Sequence, residues 1–306
     1  MKRRVAIIGT GWVGSSVAIS LLHLGTADEL LLHDVRAELA EGEAMDLAHG
    51  ASFYPTATVR TAVVEEMVDA DAVVVAAGRG GIPGQSRLDL LRENVGIISD
   101  IGGRLAGCRG TIIMVTNPVD VLTRVMRDAS GLPPARVVGT GTMLDTARLR
   151  HVLGQVLHLD PHSIHAYVIG EHGDSEVVLW SGALAGGIRL RDWPQWNRHR
   201  ETSLAEQVRM AAYEIIRRKG ATNHAIGLVT ADLVRCMLRG ERRALTVSRV
   251  QEGAFELQDV ALSLPAVVSM DGAAKVLEPE ISPEERQALE HSADVLRRAA
   301  NDIGYA

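Results

Sequence analysis

Cysteine is scarce. Only Cys108 and Cys236 occur among 306 residues, too few for a disulfide framework, which fits a reducing cytoplasm. Aromatic residues make up 3%, so the stacking platforms that hold single-stranded nucleic acid are not expected. Positive charge is not in excess: 32 basic residues face 38 acidic ones, a net charge of −6. A mildly acidic surface argues against nucleic acid or an anionic membrane as the main partner. No apolar run approaches the roughly 20 residues that span a bilayer. The basic opening Lys2-Arg3-Arg4 meets glycines before an apolar region long enough for a secretory signal can form, so none is expected. What remains is an ordinary globular composition, 46% hydrophobic and 23% charged. The length suits one large domain or two of ordinary size, with a core that needs no metal or disulfide staple.

The first half alternates two kinds of pattern. Short apolar runs occur at Val5–Ile8, Leu30–Leu32, Ala72–Ala77 and Ile112–Val115, with a weaker one at 136–138. Between them lie stretches with helical spacing, Trp12–Leu24, Ala37–His49 and Leu88–Ala106. Apolar strands separated by helices predict βαβ units: a doubly wound parallel sheet of the Rossmann type with helices on both faces. The second half reads as mixed α+β. A helix is expected from Thr142 to Leu157, and others at Leu204–Arg218, Ala225–Arg239 and Pro283–Asn301. Antiparallel strands are expected over Ala244–Met270, with Gly253 and Pro265 as punctuation. We place a domain border at 141/142, giving units 1–141 and 142–306. No internal repeat or low-complexity tract is visible.

Gly9-Thr10-Gly11-Trp12-Val13-Gly14 follows the first strand and opens the first helix. Glycines allow the tight turn, close backbone approach to a pyrophosphate and close helix–strand packing, while the helix N-terminus offers free N–H groups. Asp34 comes 20 residues after Gly14, at the end of the second strand, where a carboxylate accepts hydrogen bonds from ribose hydroxyls. Its charge favours NAD over NADP, a preference that neighbouring Arg36 tempers. By itself the fingerprint is also compatible with a glycine-rich turn of another α/β fold.

Four further segments are dense in polar residues. Residues 77–87 leave the third apolar strand with four glycines and one proline, suited to a closing lid with Arg87 at its far end. Asn117-Pro118 follows the fourth strand, as a substrate-orienting Asn or a simple turn. Asp145 and Arg148 share a helix face. They are either a surface ion pair or a histidine-orienting carboxylate beside a carboxylate-binding fork. Gly170-Glu171-His172-Gly173-Asp174-Ser175 places a histidine on a turn among acids. His151, His158 and His162 are scattered, and no metal-ligand set is expected.

These motifs resemble the lactate/malate dehydrogenase family along essentially the whole chain. The resemblance rests on Gly9–Gly14, Glu41–Leu47, Asn117–Asp120, Leu144–Arg148, Gly170–Ser175, Lys219–Thr222 and Leu264–Val268. It implies reversible NAD-dependent hydride transfer between a 2-hydroxy acid and a 2-oxo acid. By the same resemblance His172 is the proton donor and acceptor, Asp145 holds its imidazole, Arg148 grips the substrate carboxylate and Arg87 polarises the carbonyl. Asn117, Thr222, Gly81 and Gln85 would line the substrate pocket. Gly9, Gly11, Trp12, Val13, Gly14, Asp34, Ala77, Gly78, Asn94 and Asn117 would hold the cofactor.

Gly81 occupies the position where lactate enzymes of this family carry glutamine and malate enzymes arginine. An unpaired second carboxylate would be costly there, which favours (S)-lactate and pyruvate, with tolerance for larger apolar 2-oxo acids. Arg79, two residues away, keeps oxaloacetate and malate as the alternative. A non-catalytic NAD-binding regulator is the alternative of another class, but it has no need of Arg87, Asp145, Arg148 and His172 together. Arg150 and His165 match an anion site for fructose 1,6-bisphosphate at a subunit interface of bacterial family members, which implies an allosteric homotetramer. His224 stands where the family usually has an aromatic residue.

Overall fold

The computed structural model describes residues 2–80, 86–194 and 196–305. The first half contains β1 (Arg4–Ile8), α1 (Trp12–His23), β2 (Glu29–His33), α2 (Ala37–His49), β3 (Thr58–Thr61), β4 (Ala72–Val75), α3 (Arg87–Arg104), β5 (Thr111–Met114), α4 (Val119–Ser130) and β6 (Val137–Gly139). The second half contains α5 (Met143–Leu157) and five two-residue strands: β7 (Ile164–His165), β8 (Val168–Ile169), β9 (Val177–Val178), β10 (Leu184–Ala185) and β11 (Ile188–Arg189). It continues with α6 (Arg200–Lys219), α7 (His224–Arg239), β12 (Arg243–Glu252), β13 (Gln258–Ser269), β14 (Gly272–Val276) and α8 (Pro283–Asp302).

The strands of the first half pair in parallel, in the order β6-β5-β4-β1-β2-β3. Residues along each strand alternate between two apolar layers. Ala6, Ile8, Val73 and Val75 face a layer containing Ile98 of α3 and Leu122 and Val125 of α4. Val5, Ile7, Ala72 and Val74 face the other, with Val17 and Leu21 of α1 and Leu233 and Val234 of α7. Burial on both faces explains why these strands read as continuous apolar runs. The exception is β3, Thr-Val-Arg-Thr at the sheet edge, whose polar sequence carries no such run and is not anticipated.

The antiparallel strands of the second half do not form a separate layer. They extend the parallel sheet to nine strands through one contact of β12 with β6, Ser248 opposite Gly139. Pro265 lies inside β13, opposite Thr246, and is not the break expected there. Its carbonyl accepts from Leu277 N–H at the end of the β14 ladder, so the missing proline N–H falls where pairing runs out. A third, smaller core joins α5 and α6 to β7, β8 and β10.

Candidate active site

The crevice opens where the sheet order reverses. The loops after β1 and β4, neighbours in the sheet, leave its carboxyl edge side by side, the usual ligand position in open α/β sheets. Gly9 has φ +94°, and a Cβ there would sit 2.5 Å from Ala77 N. A Cβ on Gly14 would sit 1.9 Å from the Gly9 carbonyl oxygen, so only glycine lets α1 start this close to β1. Gly11 differs: a Cβ there would meet nothing within 4 Å. Its bare backbone faces a cavity of about 1000 Å³ lined also by Gly9, Asp34, Ala77 and Gly78.

Asp34 is fixed at the end of β2 by hydrogen bonds from Thr10 N (2.9 Å) and Arg36 N (3.0 Å). Arg36 is mostly exposed, with Nε 3.7 Å from the carboxylate. Asn94, buried on α3, accepts from Arg79 N (2.7 Å) and donates to Asn117 O (3.5 Å), joining the loops after β4 and β5. An open glycine cradle beside a helix start, with a carboxylate at the second strand's end, fits a dinucleotide. Trp12 and Val13 open α1, where their backbone N–H groups belong to the helix's first turn.

Asp145, on the first turn of α5, is 3% exposed and bridges two cationic partners. Its Oδ2 lies 2.5 Å from His172 Nδ1, and its Oδ1 lies 2.8 Å from Arg148 Nη1. The pair is therefore no surface ion pair. Burial disfavours charge on both groups, but mutual attraction and the hydrogen bond outweigh it. The Asp145 carboxyl is held below its ordinary value and the His172 imidazole is raised to about 9. Among the described residues, His172 makes its side-chain hydrogen bond through Nδ1 alone.

The His172 turn is held from four sides. Gly170 pairs with Ser263 of β13 through two 2.9 Å backbone hydrogen bonds. Ser292 of α8 accepts from Glu171 N (2.7 Å) and Asp174 accepts from Tyr213 of α6 (3.0 Å). Asp120 of α4, wholly buried, accepts from His172 N (2.7 Å).

Asn117 lies on the connection after β5, and Thr222 on the connection between α6 and α7. Asn117 lies just before α4, its Oδ1 accepting from Val119 N (3.3 Å). Thr222, half-buried, joins α6 to α7, next to Asn223, which donates to Ser16 of α1 (2.9 Å). His224 Nδ1 lies 3.3 Å from the Asn223 amide at a second cavity. Gly81 and Gln85 fall outside the described residues, as does the Arg87 side chain, although the Arg87 backbone opens α3. Arg150 lies over the Tyr167 ring at 5.3 Å and donates to Ala166 O (3.2 Å), next to exposed His165.

The comparisons with known proteins agree along the chain. Residues 3–139 match the lactate/malate dehydrogenase NAD binding domain, and residues 142–304 match the alpha/beta C-terminal domain of that family. The chain belongs to the lactate/malate dehydrogenase family. Like its family, it is an NAD-dependent 2-hydroxy acid dehydrogenase. Among the relatives, the L-lactate dehydrogenase of Synechococcus sp. (strain JA-3-3Ab) is 44% identical over 98% of this chain and 99% of its own. That of Thermus aquaticus is 42% identical over 99% and 100%. Two solved structures are similar: the minor L-lactate dehydrogenase of Enterococcus mundtii (TM-score 0.95, 39% identity, 98% of both chains) and MGS-M5, a lactate dehydrogenase from a Medee basin deep-sea metagenome library (0.96, 37%, 100% of both).

Two groups escaped the sequence reading. Asp120 belongs to a quoted motif, yet its partner lies 52 residues away and nothing local announces it. Glu176 ends the histidine turn, almost fully buried, with Oε1 unpartnered among the described residues. Burial and the Asp145 charge push its carboxyl up to about 8.

Proposed function

We propose that this family member is an L-lactate dehydrogenase, interconverting (S)-lactate and pyruvate, with residues 1–141 serving the cofactor and 142–306 the substrate. The observation that carries the reading is the Asp145 bridge, one buried carboxylate ordering both an imidazole and a guanidinium. A 2-oxo acid presents the matching groups, a carbonyl to be protonated and a carboxylate to be gripped. NAD, when bound, supplies or accepts the hydride. Charge that builds on the substrate oxygen is met by the proton on His172 Nε2, with Asp145 stabilising the imidazolium from the opposite nitrogen. Arg148 has one guanidinium nitrogen on Asp145 and others left to pair with a carboxylate. By their places in the family's motifs, Asn117 and Thr222 belong to the substrate pocket, and Arg87 polarises the substrate carbonyl.

Substrate choice rests on Gly81, which brings no charge to the lid. Arg79, the residue that would favour oxaloacetate, is instead engaged by Glu93 of α3 at 3.3 Å. The test is kcat/KM with NADH for pyruvate, 2-oxobutyrate, phenylpyruvate and oxaloacetate. Pyruvate should lead, with the larger acids still turned over; a tenfold preference for oxaloacetate overturns the reading.

For assembly we propose a homotetramer responsive to fructose 1,6-bisphosphate through Arg150 and His165. An exposed apolar surface supports self-association: Trp12 (63% exposed), Ile19 and Phe53 (87%) surround, with half-buried Tyr54, a cavity of about 840 Å³ between α1, α2 and α7. Sedimentation and the pyruvate KM, with and without the sugar bisphosphate, decide it. No change in either removes the allosteric part, and a monomer removes both.

A further inference from the structure

The structure holds a second carboxylate at the histidine, on its backbone N–H rather than on a ring nitrogen. Asp120 lies in the first turn of α4, is 2% exposed and accepts two hydrogen bonds. Its Oδ2 takes the backbone N–H of His172 at 2.7 Å, and its Oδ1 takes the hydroxyl of Ser248 at 2.6 Å. Ser248 is the residue through which β12 meets β6, the contact joining the antiparallel and parallel parts of the sheet. Asp120 also follows Asn117 by three residues on the same chain turn. One buried side chain thus ties the loop after β5, the histidine turn and the junction of the two sheet halves.

We propose that Asp120 is a positioning residue for proton transfer, fixing the backbone at His172 and lending its buried charge to keep the imidazole protonated. The proposal rests on His172 being the proton carrier. A purely structural tie would be served equally well by a neutral acceptor. Burial drives the Asp120 carboxyl up to about 6 against its two hydrogen bonds and the attraction of His172, so it remains mostly ionised at neutral pH. Its charge is among those that raise His172, after that of Asp145, while Arg148 opposes. Among the described residues, the other charged groups acting here are Glu171 and Glu176 on the histidine's own segment and Arg209 of α6, which acts on Glu176.

Asp120→Asn separates the two roles. The amide oxygen can still accept from His172 N, and the amide nitrogen can donate to Ser248 Oγ, but the charge is gone. Ser248→Ala is the converse: it loosens the tie and, although losing that hydrogen bond pushes the Asp120 carboxyl further up, keeps its charge at the alkaline pH where His172 titrates; Asp120→Ser serves if the Asn variant melts early. The readouts are the alkaline limb of kcat/KM for pyruvate and the ¹⁵N-imidazole titration of His172 in cofactor-free protein, assigned with His172→Asn. Neutralising Asp120 should lower both by about half a unit to one unit, the scale of one charge acting through a partly screened interior. Ser248→Ala should leave both in place and reduce kcat at most several-fold. If the Asp120 variants titrate like the wild type while His172→Asn is inactive, Asp120 is only a tie and the proposal falls. If His172→Asn retains activity, it is the underlying reading of the histidine that falls.

Discussion

Replacing Asp145 by Asn removes one charge and almost no volume from the centre of the site. The imidazole of His172 now titrates near 9, raised from an ordinary 6.5 chiefly by this carboxylate against the opposing effect of burial. Without it the value should fall to 6.5 or below, since burial is then opposed mainly by Asp120. At pH 7.5 the protonated fraction drops from about 97% to about 9%, so protonation alone takes roughly tenfold from kcat/KM for pyruvate reduction. Lost orientation of the ring and of Arg148 adds to that. The sign is fixed by the chemistry. Reduction consumes the proton on His172, so the wild-type rate constant should be flat through neutrality and decline as pH rises through about 9. In the variant the same decline should begin near or below 6.5, and acidification to pH 5.5 should restore the protonation share. The assay is NADH absorbance at subsaturating pyruvate from pH 5.5 to 10. A variant limb that remains near 9 would refute the claim that Asp145 sets the charge of His172.

Other expectations follow from the same geometry. Gly14→Ala places a Cβ 1.9 Å from the Gly9 carbonyl. Backbone must then move, at about 1–3 kcal/mol or more, so NADH affinity measured by fluorescence should weaken at least tenfold. An unchanged Kd would mean that α1 does not start as described. Glu176→Gln mimics a carboxyl that is protonated at neutral pH, so activity at pH 7 should change little. Because the folded-state value, about 8, lies above the ordinary 4.5, the wild type loses stability as pH rises from 4.5 through 8. The Gln variant escapes that loss, a difference of at most roughly 5 kcal/mol. Thermal melts of the two proteins should coincide near pH 4.5 and diverge toward pH 8.5, and parallel curves would contradict a buried neutral acid. Arg148→Leu should raise the KM for pyruvate by tenfold or more while NADH binding persists; an effect on NADH alone would reassign this arginine.

The legibility of the chain was uneven, for physical reasons. Strands β1, β4 and β5 were readable because burial on both faces demands apolar residues throughout, and the glycine loop because tight turns and close approaches admit no side chain. The doubly wound first half was therefore written in local patterns. β3 was not, because an edge strand needs no such pattern. The helix α4 also went unmarked, and Pro265 misled because a proline's cost depends on whether a neighbouring strand asks for its N–H, which only the register decides.

The same division holds in the site. The residue types in the segments around Asp145 and His172 were plain in the sequence, and so was the chemistry they make available. Whether Asp145 and Arg148 formed a surface pair or a buried bridge to an imidazole 27 residues away depended on how α5 packs against the histidine turn. The role of Asp120 depended on a contact across 52 residues. Local sequence fixes what a segment prefers to be, because propensity and burial act over a few neighbours. Only the tertiary structure decides which charges share one dry volume, because electrostatic coupling depends on distance in space and on excluded water.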